Sequence, residues 1–231
     1  MNPITLQPAF ILHRRDYRDT SLIIELFTLH EGRISAIAKG AKRNKSSLRN
    51  SLHLFQPILI STQGKHELKT LTQAELQSPL ANIDGTHLPW AFYLNELLFR
   101  LLEKHDPYPQ LFNHYRVLLQ RLAEQNIEEK HLRFFEYDLL LELGYGLQLT
   151  TDINNEPIDT AAYYHCLPHQ APVKTTLDND ANAIYSGLSL LALSTRQLDS
   201  GSALQDAKHL LRHALRQLLG DKPLKSRELL I

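Results

Sequence analysis

One cysteine, one methionine and one tryptophan occur in 231 residues. With Cys166 alone, an internal disulfide framework is excluded, and a reducing cytoplasm is the expected setting. Apolar runs are short and broken by charge, well below the roughly 20 residues a membrane-spanning helix needs. The opening Met1-Asn2-Pro3-Ile4-Thr5 lacks the basic flank and apolar stretch of a secretory signal, so none is expected. Catalytic signatures are missing too: no Gly-rich phosphate loop, no Gly-x-Ser-x-Gly elbow and no His-Glu-x-x-His. The twelve histidines are scattered, and acid pairs such as Glu128-Glu129 read as helix surface. The expectation is a protein that is not an enzyme and needs no cofactor.

Net charge is also lacking, but only in the sum. Residues 1–80 hold 11 Lys+Arg against 6 Asp+Glu, residues 81–204 hold 8 against 16, and the last 27 residues hold 6 against 3. A basic first segment, an acidic middle and a basic tail point to more than one working surface. The densest cationic stretch is Ala38–Arg49, where Lys39, Lys42, Arg43, Lys45 and Arg49 are interleaved with small and polar residues and no acid. Gly40, Asn44, Ser46 and Ser47 favour loops over helix. The stretch reads as a mobile basic loop leaving the end of a strand. Such a loop suits a polyanion, because each cation that neutralises a phosphate releases a condensed counterion. A solvated loop that binds nothing has the same composition.

The first eighty residues carry five segments of strand character: Ala9–His13, Ser21–Thr28, Arg33–Lys39, Phe55–Thr62 and Glu67–Glu75. β-branched and aromatic residues recur in them, and His30-Glu31-Gly32 and Gln63-Gly64-Lys65 supply turns for two hairpins. Leu48, Leu52 and Leu54 suggest a short helical turn before the fourth strand. Five strands with one long insertion after the third fit an OB-type barrel, whose sheet face and loops bind single strands. An SH3-like barrel or a small β-sandwich gives a similar pattern. A second cationic cluster, His13-Arg14-Arg15-Asp16-Tyr17-Arg18, is expected in the loop after strand one. Tyr17 could stack on a base there, Phe27 reads as core, and Arg14 and Arg15 could instead pair with Asp16 and Asp19.

From Leu88 the apolar period becomes helical. Trp90 to Leu102 form a first helix with Pro89 in its first turn, and Pro107 and Pro109 end it. Leu111 to Leu122 form a second helix. Leu132 to Leu141 form a third, stopped by Leu143-Gly144-Tyr145-Gly146. Residues 147–180 are loop-rich, with a hairpin expected at Ala162–Leu167. His165, Cys166 and His169 lie there, but three ligands in one cluster fall short of the four a structural zinc site takes. Helices resume at Ile184–Leu198 and Ala203–Leu219. The last places Lys208, Arg212 and Arg216 four apart on one face, opposite Leu204, Leu211, Leu215 and Leu218. The expected domains are a barrel over residues 1–80 and a helical domain over 81–231 that holds the insertion and a basic tail.

Four stretches together resemble the bacterial DNA repair protein RecO family. They are Ala9–Arg15 leading to Thr20-Ser21-Leu22, Phe27-Thr28 through Gly32-Arg33 to Ala38–Ala41, Leu143–Gly146, and Gly220–Leu229. The resemblance implies an α+β multidomain chain. It has an N-terminal OB-fold, an α-helical domain and a zinc-finger-like insertion, which here lacks the zinc cysteines. It implies binding to single- and double-stranded DNA, strand annealing, and loading of RecA onto strands coated by single-strand-binding protein (SSB), together with RecR. It also implies engagement of the acidic, apolar C-terminal tail of SSB. By position, Lys39, Gly40 and Ala41 match the family's strand-to-loop motif and Arg14 its N-terminal one. The roles of Arg15, Lys42, Arg43, Lys45 and Arg49 in DNA binding rest on charge alone. For the SSB tail, an apolar pocket rimmed by cations is required, and Arg121, Arg133, Lys208 and Arg212 are the candidates. Other readings are a protein-only adaptor that touches DNA incidentally, an RNA-binding OB protein, and a metal enzyme built on His165, Cys166 and His169.

Overall fold

Five strands in the first eighty positions turn apolar side chains inward and close a barrel. The computed structural model describes residues 4–167, 170–176 and 183–229. Five strands, β1 (Ile4–Tyr17), β2 (Ser21–Thr28), β3 (Gly32–Ala38), β4 (Ile58–Gln63) and β5 (Leu68–Leu76), follow the order β1-β2-β3-β5-β4. β4 returns antiparallel to β1, with Ala9 opposite Ile58, and β3 and β5 run parallel, with Ser35 opposite Leu68. This closure is OB-like and separates the fold from a two-sheet sandwich. Ile11, Ile24, Leu26, Ile34, Ile58 and Ile60 fill the interior with essentially no exposure.

One expectation for this region needs correction. β1 runs from Ile4 to Tyr17, well beyond the predicted Ala9–His13. Its second half, Arg14 to Tyr17, pairs with Ile24 to Ser21, so the cluster His13–Tyr17 is strand and not loop. The hairpin turns only at Arg18 (φ 51°). Charged residues hid this extension, because both faces of the arm meet solvent and no apolar alternation marks it. The stretch 38–49, expected as a loop leaving the end of a strand, is one, built as a succession of tight turns. Arg43 N–H donates to the Gly40 carbonyl (3.0 Å), Ser46 to Arg43 (3.1 Å) and Arg49 to Ser46 (3.2 Å). Ala41, Leu48 and Leu52 point into the barrel core, which anchors the cations between them.

By compactness the chain divides into residues 1–127 with 223–231, and residues 128–222. In the first unit, α1 (Leu88–Leu101) begins with Pro89 as expected. Pro109, predicted to end that helix, instead opens α2 (Pro109–Ala123), where its missing N–H costs nothing. Phe10 and Phe27 on the outer face of the barrel meet Phe112 of α2 at 5.3 Å between centroids, and Phe10 meets Tyr115 edge-on at 5.1 Å. Asn95 of α1, almost fully buried, donates through Nδ2 to the carbonyls of Ile11 (3.2 Å) and Leu12 (2.9 Å) and accepts from Tyr115 Oη. Those carbonyls lie where the β1–β2 register shifts between Ile11 and His13, so Asn95 satisfies a bulge that the ladder leaves open. Burial pushes the Tyr115 phenol well above its ordinary value, keeping it a donor.

The chain's end also packs into this unit. Leu224 is buried, and a 3-10 helix spans Lys225–Leu229. Glu96 of α1 accepts from the backbone N–H of Lys225 (3.0 Å) and from the N–H (2.8 Å) and Oγ (2.7 Å) of Ser226. Burial alone would raise the Glu96 pKa, but the Ser226 and Lys225 bonds and the nearby Arg100 hold it below the usual carboxylate range.

The second unit contains α3 (Glu129–Glu142), a sheet of β6 (Tyr163–His165), β7 (Val173–Thr175) and β8 (Ile184–Ser186), then α4 (Gly187–Ser194) and α5 (Gly201–Leu219). α3 stops as expected at Gly144 (φ 79°). The N–H of Tyr145 reaches the Leu140 carbonyl (2.8 Å) and that of Gly144 reaches Leu141 (3.0 Å), a Schellman pair. The predicted hairpin at Ala162–Leu167 is replaced by one central strand, β6, flanked by β7 and β8. The helix predicted from Ile184 starts only at Gly187, because Ile184–Ser186 pairs with β6 and the Ser186 side chain caps Ser189 N–H. The insertion is organised by polar side chains. Asp152 Oδ1 accepts from Asn154 (2.8 Å) and Glu156 (3.0 Å), and Tyr164 Oη accepts from Asp159 N–H (2.9 Å). Cys166 is buried beside them, and burial pushes its thiol up to about 12. Among the described residues no group of His, Cys, Asp and Glu is arranged to hold a metal ion, and His169 lies outside those residues. Among them, too, no helix is long and apolar enough to cross a membrane.

Candidate nucleic-acid interface

The β1–β2 hairpin arm and the turns after β3 come together at one end of the barrel. Lys42 N–H donates to the Thr20 carbonyl at the hairpin turn (2.9 Å), and Gly40 N–H reaches Ser21 Oγ (3.5 Å). Gly40 takes φ 69° where β3 gives way to the turns, a backbone region that favours glycine. These bonds place the cations of two sequence clusters on two grooves flanking the contact.

The first groove, about 400 Å³, is lined by Arg14, Arg15, Lys42 and Arg49 around the single carboxylate of Asp16. Arg14 lies across its floor and donates from Nη1 to the Leu52 carbonyl (2.6 Å). That bond uses one of five guanidinium N–H groups. Lys42 Nζ pairs with Asp16 at 2.7 Å, and Arg49 donates to Asn44 Oδ1 at 2.9 Å. Both interactions are on the surface, where such pairs hold weakly and exchange readily for another anion. The second groove, about 430 Å³, brings Lys39, Arg43 and Arg18 together beside Asp19. Arg18 was absent from the sequence-based site; its place next to Arg14 and Arg15 at a hairpin tip was the available signal. Lys45 is exposed between Asn44 and Ser46 and lines neither groove. Tyr17 is half-buried under the Arg18 guanidinium, 5.2 Å from its ring centroid, and Phe27 is core.

Chemically, each groove gathers guanidinium and ammonium groups around one carboxylate on an open surface. Contacts from such cations to a phosphate backbone carry no base information.

The four other candidates fall in different settings. Arg121 ends α2 in the first unit and is half-buried. In the second unit Arg133 is buried and its Nη2 pairs with Glu136 at 2.9 Å. Lys208 pairs with Glu129 at 2.8 Å. Arg212 lines a groove of about 360 Å³ with His209, His213 and Arg216, beside Tyr185 and Asp206. The stripe predicted on α5 therefore divides, Arg212 and Arg216 facing the groove and Lys208 facing α3.

Comparison with known proteins matches nearly the whole chain. Residues 1–80 match the family model for the recombination protein O N terminal region, and residues 83–228 match that for its C terminal region. The chain is 44% identical over 230 residues to the DNA repair protein RecO of Coxiella burnetii (strain RSA 331 / Henzerling II), covering 98% of each. It is 43% identical over 227 residues to that of Methylococcus capsulatus, covering 98% of this chain and 93% of the relative. With Alkalilimnicola ehrlichii the figure is 42% over 228 residues, covering 98% and 90%. An OB-like barrel with a helical C-terminal region, and matches of this extent, establish that the chain belongs to the RecO family of DNA repair proteins.

Proposed function

We propose that this protein is a non-enzymatic recombination mediator. It binds single- and double-stranded DNA, anneals complementary strands, and with RecR helps RecA load onto SSB-coated strands in the cytoplasm. The observation that carries the DNA-binding part is the grouping of Arg14, Arg15, Lys42 and Arg49 in one open groove. Cations placed there screen phosphate repulsion between two strands, which speeds pairing without sequence preference. An SSB-tail contact would hold the protein on coated DNA and raise the effective concentration of strands. For that tail we propose, as separate candidates, Arg121 in the first unit and Arg133, Lys208 and Arg212 in the second, with Arg212 supported most by its groove beside His209, His213 and Arg216.

Fluorescence anisotropy of a labelled single strand across a salt series tests the DNA reading. Each phosphate that a variant no longer neutralises should flatten the log–log slope by about 0.7. A Lys42→Ala/Arg43→Ala/Lys45→Ala variant is expected to flatten it by about one to two units, and equal slopes would remove these turns as the DNA site. For the tail, titration of an SSB-tail peptide should weaken with Arg212→Ala. Unchanged affinity in Arg121→Ala and Arg133→Ala would remove those two residues. The internal partners of Arg14 and Lys42 favour a second reading, a protein-only adaptor, in which the cations brace the hairpin arm. A wild-type strand affinity independent of salt would support it.

A further inference from the structure

Arg14 belongs to a second depression. Behind the cationic groove, β1, α1 and the terminal 3-10 helix enclose an apolar trough of about 730 Å³, and Arg14 lines both. Phe92, Phe99 and Leu54, each half-buried, form its walls. His13, exposed at the start of the hairpin arm, stacks on Phe99 at 5.3 Å and 24° between planes. Phe92 meets Phe55 edge-on at 5.1 Å. Aromatic rings thus line an open trough whose mouth adjoins a row of cations.

Charge at the rim selects the occupant. Arg14, Arg100 and Lys225 line the trough, and Glu96 is the one carboxylate among the described residues of its lining. Both Glu96 oxygens are occupied by the 3-10 helix, Oε1 by Lys225 N–H and Oε2 by Ser226. Arg100 also faces Glu96 Oε1 at 4.0 Å and donates to the Pro223 carbonyl (3.1 Å), so the Glu96 charge is matched within the fold and Arg14 and Lys225 supply the positive charge at the mouth. A flat apolar group joined to a phosphate suits that combination, and a nucleotide of a single strand is such a group.

We propose that the trough is a base pocket. Resting on the reading that the neighbouring groove takes the phosphates of a single strand, it receives one unstacked base from that strand. The base continues the Phe99–His13 stack and lies against Phe92, while Arg14 marks the path of the backbone from groove to trough. The volume is within the range of about 300–1,000 Å³ typical of small-molecule sites, ample for one nucleoside. Holding a base out of its stack presents its pairing edge and its backbone separately, an arrangement useful to a protein that exchanges partners on a strand. Every base has a flat face, so the pocket adds affinity without reading sequence.

The test compares a thymidine strand with an abasic deoxyribose-phosphate strand of equal length by anisotropy. A base stacked on an aromatic ring raises affinity about five- to hundredfold. Wild type is expected to prefer the thymidine strand about tenfold. His13→Ala, at an exposed position, and Phe92→Leu, which keeps the apolar bulk, should each cut that ratio several-fold. Lys42→Ala/Arg49→Ala should weaken both strands alike and leave the ratio unchanged. A wild-type ratio of one with both strands bound would overturn the pocket and leave the cationic groove standing. A ratio that neither His13→Ala nor Phe92→Leu changes would place the base elsewhere and overturn it equally. Binding of neither strand would instead sink the nucleic-acid reading itself. If the ratio is one and an acidic peptide with an apolar, free C-terminus loses affinity in both variants, the trough belongs to a protein tail and not to a base.

Discussion

Gly32 has no room for a side chain. It takes φ 63° at the β2–β3 turn, and a Cβ there would fall 1.8 Å from the carbonyl oxygen of Asp106. Backbone on both sides leaves nothing flexible to move aside. Gly32→Ala is expected to combine the left-handed penalty of about 1–2 kcal/mol with displacement of the Asp106 backbone. A thermal melt should show a midpoint lowered by about 5 °C or more. The glycine was legible as a turn residue, but the close approach was not, since Asp106 is remote in sequence. Cys166 makes the opposite case, a residue whose chemistry is silenced by its surroundings. Its thiol, pushed up to about 12 by burial, holds almost no thiolate at pH 8. Alkylation of the native protein should therefore run about a hundredfold or more slower than that of the unfolded chain, where the pKa returns to about 8.5. Native-state labelling at the unfolded rate would show that β6 leaves the thiol accessible.

At the scale of elements, the sequence spoke clearly where one face is buried and poorly where both faces are wet. β2 was placed to the residue because it is apolar on both faces, Ile24 and Leu26 filling the barrel while Ile23 and Phe27 are buried on its outside. The arm of β1 was missed because Arg14, Arg15 and Asp16 have no buried side to declare. β8 was absorbed into a predicted helix because Ile184-Tyr185-Ser186 is too short for its period to be told from the helix that follows. The candidate cations were visible one by one, but their division between two grooves depends on which way each side chain leaves its strand or turn. The bulge in β1 was invisible as well, and so was its partner. Asn95 within an otherwise apolar helix is what a buried satisfier of stray carbonyls looks like before the fold is known. Asn95→Leu keeps the volume and strands the carbonyls of Ile11 and Leu12 together with the Tyr115 hydroxyl. Each buried group left unpaired costs about 1–3 kcal/mol, so chemical denaturation should show a loss of roughly 3 kcal/mol or more. A neutral result would mean that water reaches the bulge.

For the whole molecule, neutrality conceals segregation. Zero net charge would ordinarily argue against a polyanion partner, yet four cations converge on one groove beside a single acid. The chain also returns on itself: residues 223–231 belong to the same unit as the barrel, although they follow the whole second unit in sequence. The basic tail that composition suggested is therefore partly structural. Leu224 is 2% exposed, and Glu96 receives the N-terminus of the 3-10 helix that follows it. Leu224→Ala should destabilise the protein by about 2–5 kcal/mol, as other buried leucines do. The Glu96 contact adds a pH dependence with a definite sign. Its folded pKa lies below the ordinary value of 4.5, so the folded state binds its proton less tightly than the unfolded chain does. The stabilisation is then fully present above about pH 4.5 and is lost as the pH falls through the lowered folded value. Wild type should exceed Glu96→Gln in stability near neutrality, and the difference should shrink to nothing in acid. Hydrogen exchange at the Ser226 amide should lose protection over the same range in wild type alone. A stability difference independent of pH would mean that Glu96 holds the chain end by shape and not by charge. The trough walled by Phe92 and Phe99 would then keep its lower edge, the 3-10 helix, under acid as well.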